Sequence, residues 1–261
     1  MKALQIAATG MSAQQMRVEV ISNNLANMST TGYNPRRAEF TDLQYQQATR
    51  PGTLTATTGA MVPAGVQLGL GVRPAAVTIM LGQGSPIQTN GDLDVAIEGN
   101  GYLEVTMPSG VSGYTRDGSL KRSAEGQIVT SDGYPLVPDI TIPEDARSVS
   151  ISATGEVMAY FSDRVEPENL GQITLANFVN EKGLEAIGSN LFLETTASGP
   201  PQVAAPGEDG LGTLRAGYLE ESAVDPVREI TELIKAQRGY ELNSKVITAA
   251  DQMLAATVQV R

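Results

Sequence analysis

The 261-residue chain carries 18 basic and 29 acidic residues, a net charge of −11, and neither cysteine nor histidine. That composition excludes thiol nucleophiles, disulfides, histidine-ligated zinc and Ser-His-Asp chemistry together, leaving carboxylate pairs or a Ser-Lys dyad as the only catalytic options. The acidity argues against nucleic acid or an anionic membrane as partner, and no stretch approaches the roughly 20 apolar residues of a membrane span.

After Met1-Lys2 the chain reads ALQIAATGMSAQQM, where Gln5, Thr9 and Gly10 interrupt any signal-peptide core. The expectation is a cytoplasmic protein, or one exported by a route that reads no standard signal. Leu4, Met11, Val18 and Leu25 fall seven apart, and Ala7, Gln14, Ile21 and Met28 fall seven apart between them. This heptad pattern predicts a helix of about 40 Å, stopped by Gly32 and Asn34-Pro35. It also carries few charges: between Ala3 and Asn34 only Arg17 and Glu19 are ionised. One reading is an amphipathic helix lying on its own domain. The amide-rich run NNLANMSTTGY (residues 23–33) favours another, burial against other protein on several sides.

Residues 51–90 contain one charge, Arg73, and open with TLTATTGAMVPAG. Such a stretch reads either as a flexible loop or as an ordered extension over Gln44–Gly69. The period then changes to two. DVAIEG, GYLEVTM, GQIVTS, RSVSIS, GEVMAYF, GQITLANF and NLFLET are short alternating segments, with turn dipeptides at Asp117-Gly118, Glu125-Gly126, Asp132-Gly133 and Thr154-Gly155. They predict an antiparallel β domain. Residues 91–217 hold seven basic against nineteen acidic residues, a net of −12, so the negative charge is concentrated there.

Asp225-Pro226 supplies an N-cap acid and a proline at the first helical position. The following helix is predicted to run about 50 Å to the end. One apolar stripe holds Ile230, Leu233, Tyr240, Ile247, Leu254 and Val258. A second holds Val227, Ile234, Leu242, Val246, Ala250 and Met253. The least charged portions of the terminal helices, Ala3–Met16 and Val246–Val260, coincide if the helices pair antiparallel. The expected fold is therefore α+β: terminal helices (1–35 and 225–261) in an antiparallel coiled-coil-like hairpin, an extended connecting segment (36–90), and a central antiparallel all-β domain (91–224).

No catalytic constellation stands out. Asp92 and Asp94 in GDLDV form a D-x-D without further ligands, so a turn followed by a strand-edge acid is the simpler reading. Glu166 and Glu168 flank a proline in a loop, and spacing alone does not make them an acid pair. Neither a cofactor nor a metal site is expected.

Four segments carry a resemblance. ISNNLANMSTTGYN, DVAIEGNGYLEV, YTRDGSLKRSAEGQIVTSDGYPL and VDPVREITELIKAQRGYELNSKVITAADQML resemble, in order, the signatures of the bacterial flagellar rod and hook protein family. The A-Q-R-x-Y-E-x-N-S-K run is the most specific of them. The length leaves no room for the added outer domain of hook subunits, and QLGLGVRPA with the Thr/Gly-rich segment before it favours the distal rod branch. A proximal rod or short hook-like subunit, a carboxylate-dependent hydrolase of the kind found in rod assembly, and a β-rich adhesin are the alternatives.

The resemblance implies a homopolymer around an export channel, no enzymatic activity, and export without a cleaved signal peptide. It places the protein in the basal body from periplasm to outer membrane, with proximal rod proteins, hook protein, the L- and P-rings and a rod cap as partners. Neither nucleic acid nor membrane insertion is implied. Subunit-assembly contacts are expected at Leu4, Met11, Val18, Ile21, Asn23, Asn24, Leu25, Ala26, Asn27, Thr31, Gly32 and Tyr33. On the C-terminal helix they are expected at Ile230, Leu233, Ile234, Gln237, Arg238, Tyr240, Asn243, Ser244, Ile247 and Leu254.

Overall fold

A computed structural model describes residues 2–49, 65–162, 164 and 166–259. Most of the expected extension around TLTATTGAMVPAG lies outside the described residues, as does the Val258 side chain. The chain forms two compact units, one of residues 1–25, 36–78 and 225–261, the other of residues 26–35 and 79–224. The first unit therefore contains most of the segment expected to connect helices and sheet, and the second contains the end of the Asn-rich run.

In the first unit, helix α1 (Lys2–Ala26) is followed by strands β1 (Arg36–Asp42), β2 (Tyr45–Thr49), β3 (Val66–Gly69) and β4 (Val72–Ile79), and the chain closes with helix α2 (Pro226–Gln259). β1 pairs with β4, and β2 pairs antiparallel with β3. α2 begins as its sequence predicts: the Asp225 carboxylate accepts the Val227 and Arg228 amides at 3.0 and 3.2 Å, satisfying donors that the first turn leaves open.

α1 ends earlier than Gly32. Its last helical residue is Ala26, and tight turns take over, with the Thr30 amide donating to the Asn27 carbonyl and the Tyr33 amide to the Thr30 carbonyl. Side-chain oxygens here offer the backbone partners other than the helix ladder, and the Thr30 hydroxyl donates to the Asn27 side chain.

The second unit is built of short strands: β5 (Pro86–Gln88), β6 (Val95–Glu98), β7 (Tyr102–Thr106), β8 (Ser112–Thr115), β9 (Lys121–Arg122), β10 (Ile128–Val129), β11 (Ala146–Ile151), β12 (Glu156–Phe161), β13 (Glu168–Gln172), β14 (Leu175–Asn177), β15 (Glu185–Gly188), β16 (Leu191–Leu193), β17 (Gln202–Ala204), β18 (Thr213–Ala216) and β19 (Tyr218–Glu220). A six-stranded sheet has the order β15-β16-β8-β7-β14-β17, a three-stranded sheet the order β11-β12-β13, and β5, β6 and β9 pair with β19, β18 and β10. These ladders are antiparallel, as the alternating segments predict. Of the four turn dipeptides, three place their glycine at φ +87°. Gly118 is different: its backbone lies against the Val95 carbonyl, where a Cβ would sit 1.7 Å from the oxygen, so it is a site of close approach.

The two units differ in what they bury. The second has a continuous apolar core, including Val95, Ile97, Leu103, Val105, Ile128, Leu136, Ile140, Val157, Ile173 and Leu175. Beside it, Tyr102, Tyr114 and Phe178 meet edge to face. Among the described residues of the first unit, the fully buried ones are Ala7, Ala13, Ile21, Asn24, Ala236 and Ala250. Four are alanines, and Ile21 is the single large apolar side chain.

Candidate assembly site

Contacts between α1 and α2 run in opposite chain directions. A Cβ on Gly10 would lie 2.8 Å from the Asn243 amide nitrogen, and one on Gly239 would lie 3.1 Å from the Gln14 side chain. Arg17 pairs with Glu232 at 2.6 Å, and Asn24 donates to Glu229 at 3.2 Å. The helices therefore run antiparallel, brought close by small residues. Lys235 also donates to Glu232 at 2.8 Å. That hydrogen bond, aided by the charges of Lys235 and Arg17, holds the Glu232 carboxyl below the usual range. The Gln14 Oε1, the one polar entry in the α1 heptad, is buried with no hydrogen-bond partner among the described residues.

The inward stripe of α2 takes Leu233 and Ile247 from one of the two apolar stripes and Ala250 from the other, and is completed by small and polar residues. Glu229, Glu232, Leu233, Ala236, Gly239, Asn243, Ile247 and Ala250 are buried or half-buried. Ile230, Ile234, Tyr240, Val246 and Leu254 face outward, with Val227, Leu242 and Met253 exposed by 76, 63 and 64%. The physical reason is the close approach of the helices: Ala and Gly line the contact, so the bulky residues are left on the other face. Gln237, Arg238 and Ser244 are exposed as well. On α1, Leu4, Met11, Val18 and Leu25 are half-buried, Ile21 is buried, and Asn23 and Ala26 are exposed.

Asn24 is almost fully buried, 1% exposed. Its Oδ1 accepts the Arg36 amide at 2.9 Å, and its Nδ2 donates to the Arg36 carbonyl at 2.8 Å. The side chain thereby imitates a strand neighbour for the first residue of β1. Its amide works within the chain, where Lys could accept nothing and Asp could donate nothing.

The remainder of the Asn-rich run belongs to the β unit. Asn190 donates to the Thr31 carbonyl at 3.0 Å. The Gly32 amide donates to the Glu220 carbonyl, the Ala223 amide to the Tyr33 carbonyl, and the Met80 amide to the Pro35 carbonyl. The Asn34 Oδ1 accepts the Gly82 amide. Gly32 is held at φ +64°, and a Cβ there would lie 3.0 Å from the Arg116 carbonyl. The candidate residues thus divide into helix faces in one unit and a docked loop in the other.

Two residues that the sequence gives no reason to single out lie beneath this loop. Arg116 and Glu220 form an ion pair with side chains 7 and 3% exposed. Arg116 was readable only as part of a turn, and Asp117 does accept the Ser119 amide in such a turn. Of the carboxylates weighed above, Asp94 accepts the Thr89 hydroxyl, and Glu168 pairs with Arg164 at the surface.

Comparison with known proteins agrees with the resemblance. Residues 4–34 match the family described as flagella basal body rod protein, residues 96–159 the flagellar hook protein FlgE/F/G D1 domain, and residues 215–260 the flagellar basal body rod FlgEFG protein C-terminal family. The chain belongs to the family of flagellar basal-body rod proteins. It is 54% identical to the flagellar basal-body rod protein FlgG of Caulobacter vibrioides over the whole of both chains. It is 49% identical to that of Agrobacterium fabrum over 97% of each, and 36% to that of Bacillus subtilis over 100 and 99%. More particularly, then, it is a structural subunit of the distal rod in the flagellar basal body.

Proposed function

We propose that copies of this chain polymerise through a coiled-coil-like hairpin of α1 and α2 into a tubular shaft that transmits torque from motor to hook. The observation that carries this reading is the imbalance of the helical unit. Among its described residues it buries one large apolar side chain, Ile21, yet it leaves Val227, Leu242 and Val246 exposed. Covering each such partly shielded side chain with a neighbouring copy is worth about 1–2 kcal/mol, repeated at every subunit. The β unit has a continuous apolar core of its own and carries most of the negative charge.

In this reading the helices form the interior of the polymer and the β unit its outer wall. Proximal rod proteins and hook protein adjoin the ends, the L- and P-rings surround the shaft, and a rod cap accompanies growth. Subunits are exported through the flagellar apparatus without a cleaved signal. Leu242→Glu or Val246→Glu in the full chain tests it. Both variants are expected to keep wild-type circular dichroism and thermal melting, yet to give neither ordered filaments nor motile cells. Normal filaments from either variant would refute burial of this face.

A further inference from the structure

We propose that the buried Arg116–Glu220 pair is a mechanical joint. It fixes, within the β unit, the two chain segments that continue into α1 and α2. Its role is to hold their geometry rigid under torque rather than to add stability. This rests on the polymer reading above.

Among the six ion pairs found in the described residues, this is the one with both partners buried. Arg116 donates through Nε and Nη2 to Glu220 Oε2 at 3.1 and 3.0 Å. Its Nη1 reaches the Gly101 carbonyl and its Nη2 the Gly99 carbonyl. Glu220 Oε1 accepts the Gly84 amide at 2.9 Å. The guanidinium also lies 5.9 Å from the centre of the Tyr102 ring. One ion pair thus ties three turns of the β unit to residue 220.

The same residue holds the incoming segment. The Glu220 carbonyl accepts the Gly32 amide, and three residues later the Ala223 amide donates to the Tyr33 carbonyl, both at 2.9 Å. Gly32 is pressed against the Arg116 backbone on its other side. Residues 31–35, which follow α1 in the chain, and residues 219–224, which precede α2, are therefore bonded to each other over Arg116.

A buried ion pair is a poor means of raising stability, because desolvation offsets most of the attraction. It is an effective means of admitting a single arrangement, since any rotation of either partner strands a charge away from solvent. A subunit whose two arms carry the drive needs that property where the arms enter the wall. Sliding of one segment past the other would convert torque into slack.

The test compares Arg116→Met, Glu220→Leu and the double variant in the full chain. Each single variant is expected to lower the melting temperature. The double variant is expected to recover it to near wild type while amide exchange at Gly32 and Ala223 in the monomer stays roughly tenfold or more faster than wild type. Cells carrying the double variant are expected to assemble rods but to swim more slowly. Wild-type protection at both amides, or wild-type swimming with assembled rods, would overturn the joint. Should the double variant fail to fold, Glu220→Gln replaces it, and unchanged exchange at Gly32 overturns the joint equally. Exchange in the monomer is independent of polymerisation. Failure of the polymer reading would show instead as absence of ordered filaments from the wild-type chain.

Discussion

Removing the Asn24 amide is the sharpest perturbation of the helical unit. Asn24→Ala deletes the acceptor for the Arg36 amide and the donor to the Arg36 carbonyl, both within 2.9 Å, at a position 1% exposed. Leaving a buried backbone group without its partner costs about 1–3 kcal/mol, and two are affected, so the expected loss is about 2–4 kcal/mol after partial rehydration. The longer bond to Glu229 at 3.2 Å adds little to that sum. Asn24→Asp keeps the acceptor for the Arg36 amide but loses the donor and sets a second carboxylate beside Glu229, so it is expected to cost at least as much as alanine. Urea unfolding followed by far-ultraviolet circular dichroism measures both against wild type, and hydrogen exchange over residues 20–26 localises the loss. Should Asn24→Ala unfold within about 0.5 kcal/mol of wild type, the strand-mimicking role assigned to this amide is wrong.

Gly32→Ala is expected to destabilise the β unit by about 2–4 kcal/mol, from the left-handed backbone at φ +64° and from a Cβ pressed on the Arg116 carbonyl; a melting temperature equal to wild type would contradict this. Gln14→Leu removes a buried oxygen that has no partner among the described residues and is expected to stabilise the monomer by about 1 kcal/mol in urea unfolding, whereas a loss of stability would mean that Gly239 requires the amide. Burial, with the charges of Glu104 and Glu194, pushes the Tyr114 hydroxyl from its ordinary 10.0 to about 12. Its contribution is therefore complete below pH 10 and lost as pH rises through about 12. Burial and Glu181 push Tyr102 in the same direction. Tyr114→Phe should flatten the alkaline limb of a melting-temperature profile between those values, and an unchanged limb would show that Tyr114 does not set it.

The β unit was largely readable from alternation and turn dipeptides, because each of its short strands buries one face in a core of its own. The N-cap at Asp225 and the heptad of α1 were equally direct. What the sequence left open is which face of α2 meets α1. Apolar periodicity finds a stripe, but it does not say whether the partner of that stripe is the same chain. Here the intrachain partner is the small-residue stripe of Ala236, Gly239 and Ala250, which a reading based on bulk passes over. The Asn-rich run was also read as one feature and proved to be two. Asn24 braces Arg36, while Thr31 to Asn34 dock on the β unit through backbone bonds. The Arg116–Glu220 pair left no trace in the sequence, since its members lie 104 residues apart and each is ordinary where it stands.

The placement of side chains follows a division of labour. On the polymer reading proposed above, the subunit meets opposing demands, because apolar surface that drives assembly also drives aggregation beforehand. In this chain the conflict is reduced by separation. The β unit holds the continuous apolar core and the density of acidic residues. The helical unit holds most of the large apolar side chains exposed among the described residues, although the β unit exposes others such as Val179 and Val203, and on the polymer reading neighbouring copies cover those of the helices. Tight packing of α1 on α2 through glycine and alanine serves the same end. A bulkier seam would satisfy the helices within one chain and leave less apolar surface for the next. Gly10 and Gly239, unfavourable by about 1 kcal/mol each in a helix interior, are therefore consistent with a hairpin built to be completed by other copies.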